Sequence, residues 1–300
     1  MPAITLGPAR ALSCAALTAL LNRAFADDSA PVHLSCADLE ATITQDDILL
    51  DASHVAYVDG EPAGAALAAV RARREGTRTR LATMGVVPEH RRLGVGRTLL
   101  RRVIDEAHTR GARTLLVEVL ARNAPARVLY EAHGFVPRRR LVGFTVASAP
   151  LRSRQVGRVH LQPIGAHEAL AHFAACTAQE MAEAAPPWQL DAPSLVRLGP
   201  STRMYAVVPA GAARAAGYLV LGQSNSVAGL VHLGIVPAQR RQGLGTAALA
   251  TALREDPAVE TLYVPPLVPA ASPLVPFLQA LGAVRDPDEQ LEMELDLCRP

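Results

Sequence analysis

The sequence predicts an α/β protein of two tandem domains, each a mixed, mostly antiparallel sheet flanked by helices. Three observations predict it. The run Val86-Val87-Pro88-Glu89-His90-Arg91-Arg92-Leu93-Gly94-Val95-Gly96-Arg97 carries an apolar strand end through a basic loop into a helix opened by two glycines. The run returns as Ile235-Val236-Pro237-Ala238-Gln239-Arg240-Arg241-Gln242-Gly243-Leu244-Gly245, with Arg91, Gly94 and Gly96 each displaced by 149 positions. A displacement near half of a 300-residue chain denotes two copies of one domain, not a solenoid of short repeats. Hydrophobic residues make up 50 % of the chain and charged ones 19 %, enough for a sizeable core in each half. The predicted boundaries are residues 1–147 for the first domain, 148–157 for a short polar linker and 158–300 for the second domain.

The elements of the first half follow in order. Residues 4–6 read as a strand, echoed by Val159-His160-Leu161-Gln162-Pro163 in the second half, and two helical stretches follow at about 11–25 and 36–46. The pair 54–58 and 63–73 flanks Asp59-Gly60-Glu61-Pro62, a strong turn signal. Residues 79–87 form the next strand, and arginines 71, 73, 78 and 80 alternate in part along this hairpin, as on a solvated face. Leu99, Leu100, Val103, Ile104 and Ala107 recur at helical spacing, so the helix after Gly96 lays one apolar stripe on a sheet. A β-branched and Leu-rich strand at 114–120, a helix near 124–133 and a strand at 141–147 complete the set.

The glycine-opened helix is an anion cradle. Gly94 and Gly96 let the backbone turn tightly and let a ligand approach the first free N–H groups, where the helix dipole is positive. Arg91, Arg92 and Arg97 add charge. A Walker loop is excluded, because it needs a Lys and all 30 cationic residues here are Arg. A dinucleotide fingerprint is excluded as well: five residues separate Pro88 from Gly94, and Leu99 stands where a small residue belongs. The pattern Arg91-x-x-Gly94-x-Gly96 after a Val-Val-Pro strand end instead resembles the acetyl-CoA loop of the GNAT acetyltransferase superfamily. The alternative is a surface helix merely opened by glycines.

The stretch from Asn123 to Phe135 resembles that family's Asn-x-x-Ala-x-x-Leu-Tyr-x-x-x-Gly-Phe pattern at every fixed position. The resemblance implies acetyl-CoA as co-substrate, no metal, and a cofactor site of Val86, Val87, Arg91, Arg92, Leu93, Gly94, Val95, Gly96, Arg97, Asn123 and Tyr130. It implies that Tyr130 protonates the departing thiolate, and that a backbone N–H of Gly85, Val86 or Val87 receives the thioester oxyanion. For Tyr130 the alternative is a core aromatic beside Leu129; for Asn123 it is a helix cap. Glu118 interrupts an otherwise apolar strand, so it needs water, a partner or a cleft. In ribosomal-protein N-terminal acetyltransferases, a Glu-Val-Arg-x-x-Asn run places a general base at this offset. Glu118, Val119 and Asn123 match it, while Leu120 replaces the Arg. Glu118 is either that base or a carboxylate facing solvent or an arginine.

The second half keeps Arg240, Arg241, Gly243 and Gly245, a candidate second cofactor site, but departs elsewhere. Strands are expected at 203–208, 215–221, 228–236, 261–264 and 291–297, with a helix at 244–254. Phe277-Leu278 aligns with Leu129-Tyr130, so the acid position is leucine, and no carboxylate stands in for Glu118. Pro265, Pro266, Pro269, Pro273 and Pro276 break up the corner between the strand and the next helix. The expected role is a CoA-holding partner that shapes the cleft without doing chemistry. Tandem GNAT chains of this size include mycothiol synthases, but their catalytic copy is typically the second. Arg138-Arg139-Arg140 either attracts an acidic substrate or forms a solvated turn.

A net charge of +2 gives no argument for nucleic acid or an anionic membrane as partner. Cys14, Cys36, Cys176 and Cys298 have no metal or redox spacing, and the histidines pair with neither Cys nor carboxylate; reduced thiols in a cytoplasm are expected. The apolar stretch 11–21 before Ala24-Phe25-Ala26 imitates a secretory signal, but it suits a first amphipathic helix better. No run approaches the ~20 apolar residues of a membrane span. The expected function is N-acetyl transfer from acetyl-CoA to a small-molecule or peptide amine through the first domain, in a monomer (a pseudo-dimer) or homodimer. The alternatives are a catalytically silent acyl-CoA-binding regulator and an aminoglycoside-type enzyme. The third needs an acidic cleft, for which only Glu89, Glu118 and Glu131 lie near the motifs.

Overall fold

The computed structural model describes residues 3–27, 33–73, 76–155, 157–179, 181–224 and 226–298. In chain order the first elements are β1 (Ile4–Pro8), α1 (Cys14–Ala24), α2 (Cys36–Asp46), β2 (His54–Val58), β3 (Glu61–Arg73), β4 (Gly76–Val86), α3 (Val95–Thr109), β5 (Ala112–Leu120), α4 (Ala124–Glu131) and β6 (Val136–Ala147). Then come α5 (Ser148–Arg152), β7 (Val159–Pro163), α6 (Ala166–Thr177), α7 (Ala192–Leu195), β8 (Thr202–Pro209), β9 (Gly217–Ser224), β10 (Val227–Ile235) and α8 (Leu244–Glu255). The chain closes with β11 (Thr261–Pro269), α9 (Leu274–Ala280), β12 (Val284–Arg285) and β13 (Gln290–Asp296).

The chain forms two compact units. The first comprises Met1–Val119, Asn123–Arg138 and Glu292–Pro300; the second comprises Leu120–Arg122 and Arg139–Leu291. In the first unit the strand order is β1-β2-β3-β4-β5-β13, with β4 and β5 parallel and the pairs from β1 to β4 antiparallel. In the second it is β6-β11-β10-β9-β8-β7, with β10 and β11 parallel and the other pairs antiparallel. Both sheets are thus mixed and mostly antiparallel, as the sequence predicts.

The units divide the chain differently from the sequence boundaries at 147 and 158. The closing strand read for the first half, β6, lies from Arg139 onward in the second unit, and β13 from Glu292 onward lies in the first. Alternation marks a strand's buried face but not the sheet whose edge it completes. The stretch read as a linker also holds structure. Leu151 of α5 is fully buried, and Arg152 donates to the carbonyls of Leu253, Asp256 and Val259. Residue 156 of that stretch lies outside the described residues.

Local chemistry explains the elements around the candidate site. Ser13 caps α1, accepting from the Ala16 N–H, and Ser35 with Asp38 makes a capping box at α2. The apolar stretch that imitates a signal sequence is α1, whose Leu17, Leu20, Leu21 and Ala24 are buried. The β2–β3 turn has positive φ at both Asp59 (50°) and Gly60 (89°), as a tight hairpin requires. Of the hairpin arginines, Arg71 and Arg80 are buried and not on a solvated face; the side chain of Arg73 lies outside the described set. The C-terminal end of α2 lies over them: Arg71 Nε donates to Asp47 Oδ2 at 2.6 Å and Arg80 Nη1 to Asp46 Oδ2 at 3.0 Å. Among the described residues, no helix is long and apolar enough to cross a membrane.

In both units the parallel strand pair splays. Pairing of β4 with β5 ends at Leu81↔Val117, although β4 runs on to Val86. Pairing of β10 with β11 ends at Gly229↔Tyr263, while β10 continues to Ile235. Each splay leaves one edge of the longer strand open where the glycine-opened helix begins.

Candidate active site

The first-unit cradle is assembled by backbone conformation. A 3-10 turn at Pro88–His90 follows β4, Arg92 sits at φ 61°, and Gly94 caps α3 at φ 91°. No side chain caps α3, so the N–H groups of Val95, Gly96 and Arg97 in its first turn are left for a ligand. Open space surrounds Gly94. A Cβ on Gly96 would stand 3.5 Å from Leu129 Cδ2 and 3.7 Å from Val86 Cγ2. The cradle therefore touches the end of β4 on one side and the helix that carries Tyr130 on the other. Leu93 is exposed on the loop, and Val87 is fully buried.

Arg91 does not line this cradle. Its Nε donates to the Val86 carbonyl at 3.0 Å, its Nη2 to the Ala24 carbonyl at 2.9 Å, and the fork grips Asp27 at 2.6 and 2.7 Å. That hydrogen bond holds the Asp27 carboxyl below the ordinary carboxylate range. Arg240 repeats the brace, donating to the Ile235 carbonyl at 2.9 Å and to the Cys176 carbonyl at 2.8 Å. The arginine shared by the two repeats ties the loop to the strand before it and to a helix of its own unit, α1 in the first and α6 in the second.

Hydrogen-bond parity distinguishes the three candidate N–H groups at the end of β4. The Val87 N–H donates to the Ala63 carbonyl at 2.9 Å, so Val87 and, two residues back, Gly85 bond toward β3. Val86 then directs its N–H and carbonyl to the open side, where Arg91 takes the carbonyl. Gly85 has a packing role: a Cβ there would come within 2.8 Å of Ala24 Cβ and 2.9 Å of Phe25 Cζ.

Tyr130 is buried on α4, its ring centroid 5.6 Å from that of Phe135. Burial pushes its hydroxyl above the usual tyrosine value, so it keeps its proton throughout the physiological range. Asn123 caps α4, its Oδ1 accepting from the Ala126 N–H at 3.2 Å. Glu118 takes the arginine-pairing alternative. Its Oε2 accepts from Arg80 Nε at 2.6 Å, and the two side chains are 2 % and 6 % exposed. This buried ion pair gives Glu118 a structural task, tying β5 to β4. The triad Asp46–Arg80–Glu118 joins α2, β4 and β5 at the root of the splay, and sequence reading missed it because Asp46 lies far from the motifs.

The run Arg138-Arg139-Arg140 lies in β6, not in a turn, and each of its side chains has partners. Arg138 pairs with Glu292 and Glu294, Arg139 donates to the carbonyls of Ala182, Glu183 and Ala185, and Arg140 pairs with Glu289.

The second unit holds a cavity of about 730 Å³ at its own splay, where Arg241, Gly243 and Gly245 meet Phe277 and Pro265. Gly243 caps α8 at φ 78°, Arg241 sits at φ 67°, and no side chain caps the helix. The proline-rich corner does not end the strand: β11 runs through Pro265 and Pro266 to Pro269, with its register shifted between Val264 and Val268. His232 and Tyr218, which the sequence reading did not single out, also line the cavity. Among the described residues no cluster of His, Cys, Asp and Glu could hold a metal ion.

A mixed sheet with a splayed parallel pair, a glycine-opened helix at the splay and a tyrosine-bearing helix beside it define an acetyltransferase fold of the GNAT type. Residues 17–135 match the model of the acetyltransferase (GNAT) family. Over 55 residues it is 49 % identical to the ribosomal protein bS18 alanine N-acetyltransferase of Escherichia coli (strain K12), and 51 % identical to that of Salmonella typhimurium (strain LT2). The match takes in 18 % of this chain and 37 % of each of those relatives. Among solved structures it is similar to a tandem GNAT protein from the clavulanic acid biosynthesis pathway, with TM-score 0.69, 17 % identity, and 99 % of this chain and 100 % of that one covered. It is also similar to a GCN5-related N-acetyltransferase from Sphaerobacter thermophilus, with TM-score 0.65, 14 % identity, and coverage of 99 % and 96 %.

Proposed function

We propose that the first unit transfers an acetyl group from acetyl-CoA directly to an amine. The observation that carries this reading is the convergence on Gly96: the uncapped α3 terminus, the open edge at Val86 and the α4 helix with Tyr130 meet there. The pyrophosphate would take the N–H groups of Val95, Gly96 and Arg97, with Arg92 and Arg97 beside it. The Val86 N–H would stabilise the oxyanion as the amine attacks, and Tyr130 would give its proton to the departing thiolate. No enzyme-bound acyl intermediate is needed.

With Glu118 held by Arg80, the amine must arrive neutral, and this selects the acceptor class. At pH 7.4 roughly a quarter of an α-amine (pKa about 7.7–8.0) is neutral, against about one in a thousand of a lysine side chain. An α-amine, on a peptide or a small molecule, is therefore the acceptor this unit suits. The second unit would hold a second acetyl-CoA on Arg241, Gly243 and Gly245. A cytoplasmic location fits four cysteines that are not joined in disulfides.

Calorimetric titration of acetyl-CoA into the protein and its Gly94→Glu and Gly243→Glu variants tests the two cradles. Each variant should abolish one site; absence of binding in the unaltered protein refutes the reading. Tyr130→Phe should cut kcat on an α-amine peptide by about 10²–10⁴ with little change in acetyl-CoA affinity. An unchanged kcat would leave Tyr130 as a core aromatic.

A further inference from the structure

The geometry points to a second catalytic centre in the second unit, built on His232 and Tyr218 of β10 and β9, for acyl transfer to an apolar amine. It goes beyond the transfer proposed for the first unit and rests on that reading only for the identity of the thioester.

Three features carry it. The first is the cradle: an uncapped α8 terminus beside a cavity large enough for a cofactor-sized ligand, with Gly243 in open space. The second is an oxyanion donor. The Val236 N–H donates to the Ala216 carbonyl at 2.8 Å and Arg240 takes the Ile235 carbonyl, so by parity the Ile235 N–H turns to the open side of the splay, as at Val86. The third is an oriented imidazole. His232 is 7 % exposed and lines the cavity, its Nδ1 lies 3.2 Å from Tyr218 Oη, and its Nε2 has no hydrogen-bond partner. Phe173 holds the ring edge-on, with centroids 5.7 Å apart and planes at 81°.

An unpaired buried ring nitrogen is costly unless a ligand completes it. Burial pushes His232 down to about 4, so the ring is neutral at physiological pH. When Nδ1–H donates to Tyr218, Nε2 carries the free lone pair. A fixed ring nitrogen, a donor that orients it and an oxyanion N–H three residues along the same strand are the parts acyl transfer needs. The first unit has no such imidazole, because Thr83 stands 149 positions before His232. The cavity that His232 lines is also lined by the apolar Phe173, Ala184, Pro187 and Leu190, which suits an amine with an apolar body.

The step balances as follows. The amine nitrogen bonds to the thioester carbonyl carbon, and its proton passes to His232 Nε2. The oxyanion formed faces the Ile235 N–H. The carbonyl re-forms as the C–S bond breaks, its electron pair leaving on sulfur, and the thiolate takes the proton back from His232. Amide and free thiol are released with His232 neutral again. This return of the proton replaces the tyrosine whose position Leu278 occupies.

The test uses the full chain with Gly94→Glu, which disables the first cradle, and acetyl-CoA with benzylamine as probes. N-acetylbenzylamine should form with matching release of free thiol. Adding His232→Gln should lower the rate by about 100-fold or more, and adding Tyr218→Phe by a smaller factor, with acetyl-CoA binding by calorimetry retained in both. Retained binding also shows that the second unit is folded in these variants. Acetyl-CoA binding without acetylation, or acetylation indifferent to both substitutions, overturns the centre while leaving the first unit's reading intact. No acetyl-CoA binding in the Gly94→Glu protein overturns the centre together with the second cradle; the first unit is judged separately by Tyr130→Phe.

Discussion

Arg91 and Arg240 occupy the charge positions of a phosphate loop, yet their guanidinium groups hold backbone carbonyls. Arg91→Ala removes two charge-assisted bonds to carbonyls and a half-exposed pairing with Asp27. A destabilisation of about 1–3 kcal/mol is expected, read as a fall in the urea midpoint, with a weaker acetyl-CoA site. Arg91→Lys should recover little, because a point charge cannot reproduce the fork. An unchanged midpoint would return Arg91 to the ligand side of the loop. Arg80 sits deeper. Arg80→Met strands the carboxylates of Asp46 and Glu118 in a buried site and should cost about 3–5 kcal/mol by denaturant unfolding. The double variant with Glu118→Gln should recover part of that loss; failure to recover any would show that the two groups are not energetically coupled.

At the level of elements, the β9–β10 pair buries an imidazole whose acidity differs from that of the unfolded chain. The folded value of about 4 for His232 lies below the unfolded ~6.5, so the unfolded chain binds the proton more readily. Stability from this group is therefore full above about pH 6.5 and is lost as pH falls toward 4. A shift of that size corresponds to roughly 3 kcal/mol. The difference in unfolding free energy between the protein and its His232→Gln variant should narrow across this window. A difference constant from pH 7 to pH 4 would mean that His232 is not buried neutral. The α3 and α8 termini show why glycine opens both helices: each starts after a left-handed residue, and a side chain at Gly94 or Gly243 would be strained there whatever the space around it.

For the whole molecule, the closing strands set the units. Residues 1–147 expressed alone lack the β13 segment that completes the first unit, and residues 148–300 lack the β6 segment that lies beside β11. Each fragment should be aggregated or molten by circular dichroism and heteronuclear NMR, because it leaves a long sheet edge unpaired. Co-expression should restore a soluble complex that binds acetyl-CoA. A fragment 1–147 that folds and binds by itself would show that the first unit does not depend on β13.

The sequence by itself determined the mixed α/β class, the twofold repeat and nearly every element, because these are local matters of periodicity, turn residues and a glycine pattern long enough to be specific. It also determined the cradle, since a helix terminus is built by consecutive residues. Only the tertiary structure decided what the charged side chains do. Arg91, Arg80 and Arg138 meet partners from 34 to 154 positions away, and no local pattern carries that pairing. For the same reason the pairing of Glu118 was not legible until Arg80 lay beside it. His232 remained one histidine among nine until the sheet set it against Tyr218 and a cavity. Which sheet β6 and β13 complete was likewise left to tertiary structure, because an alternating strand specifies its buried face and not its neighbour.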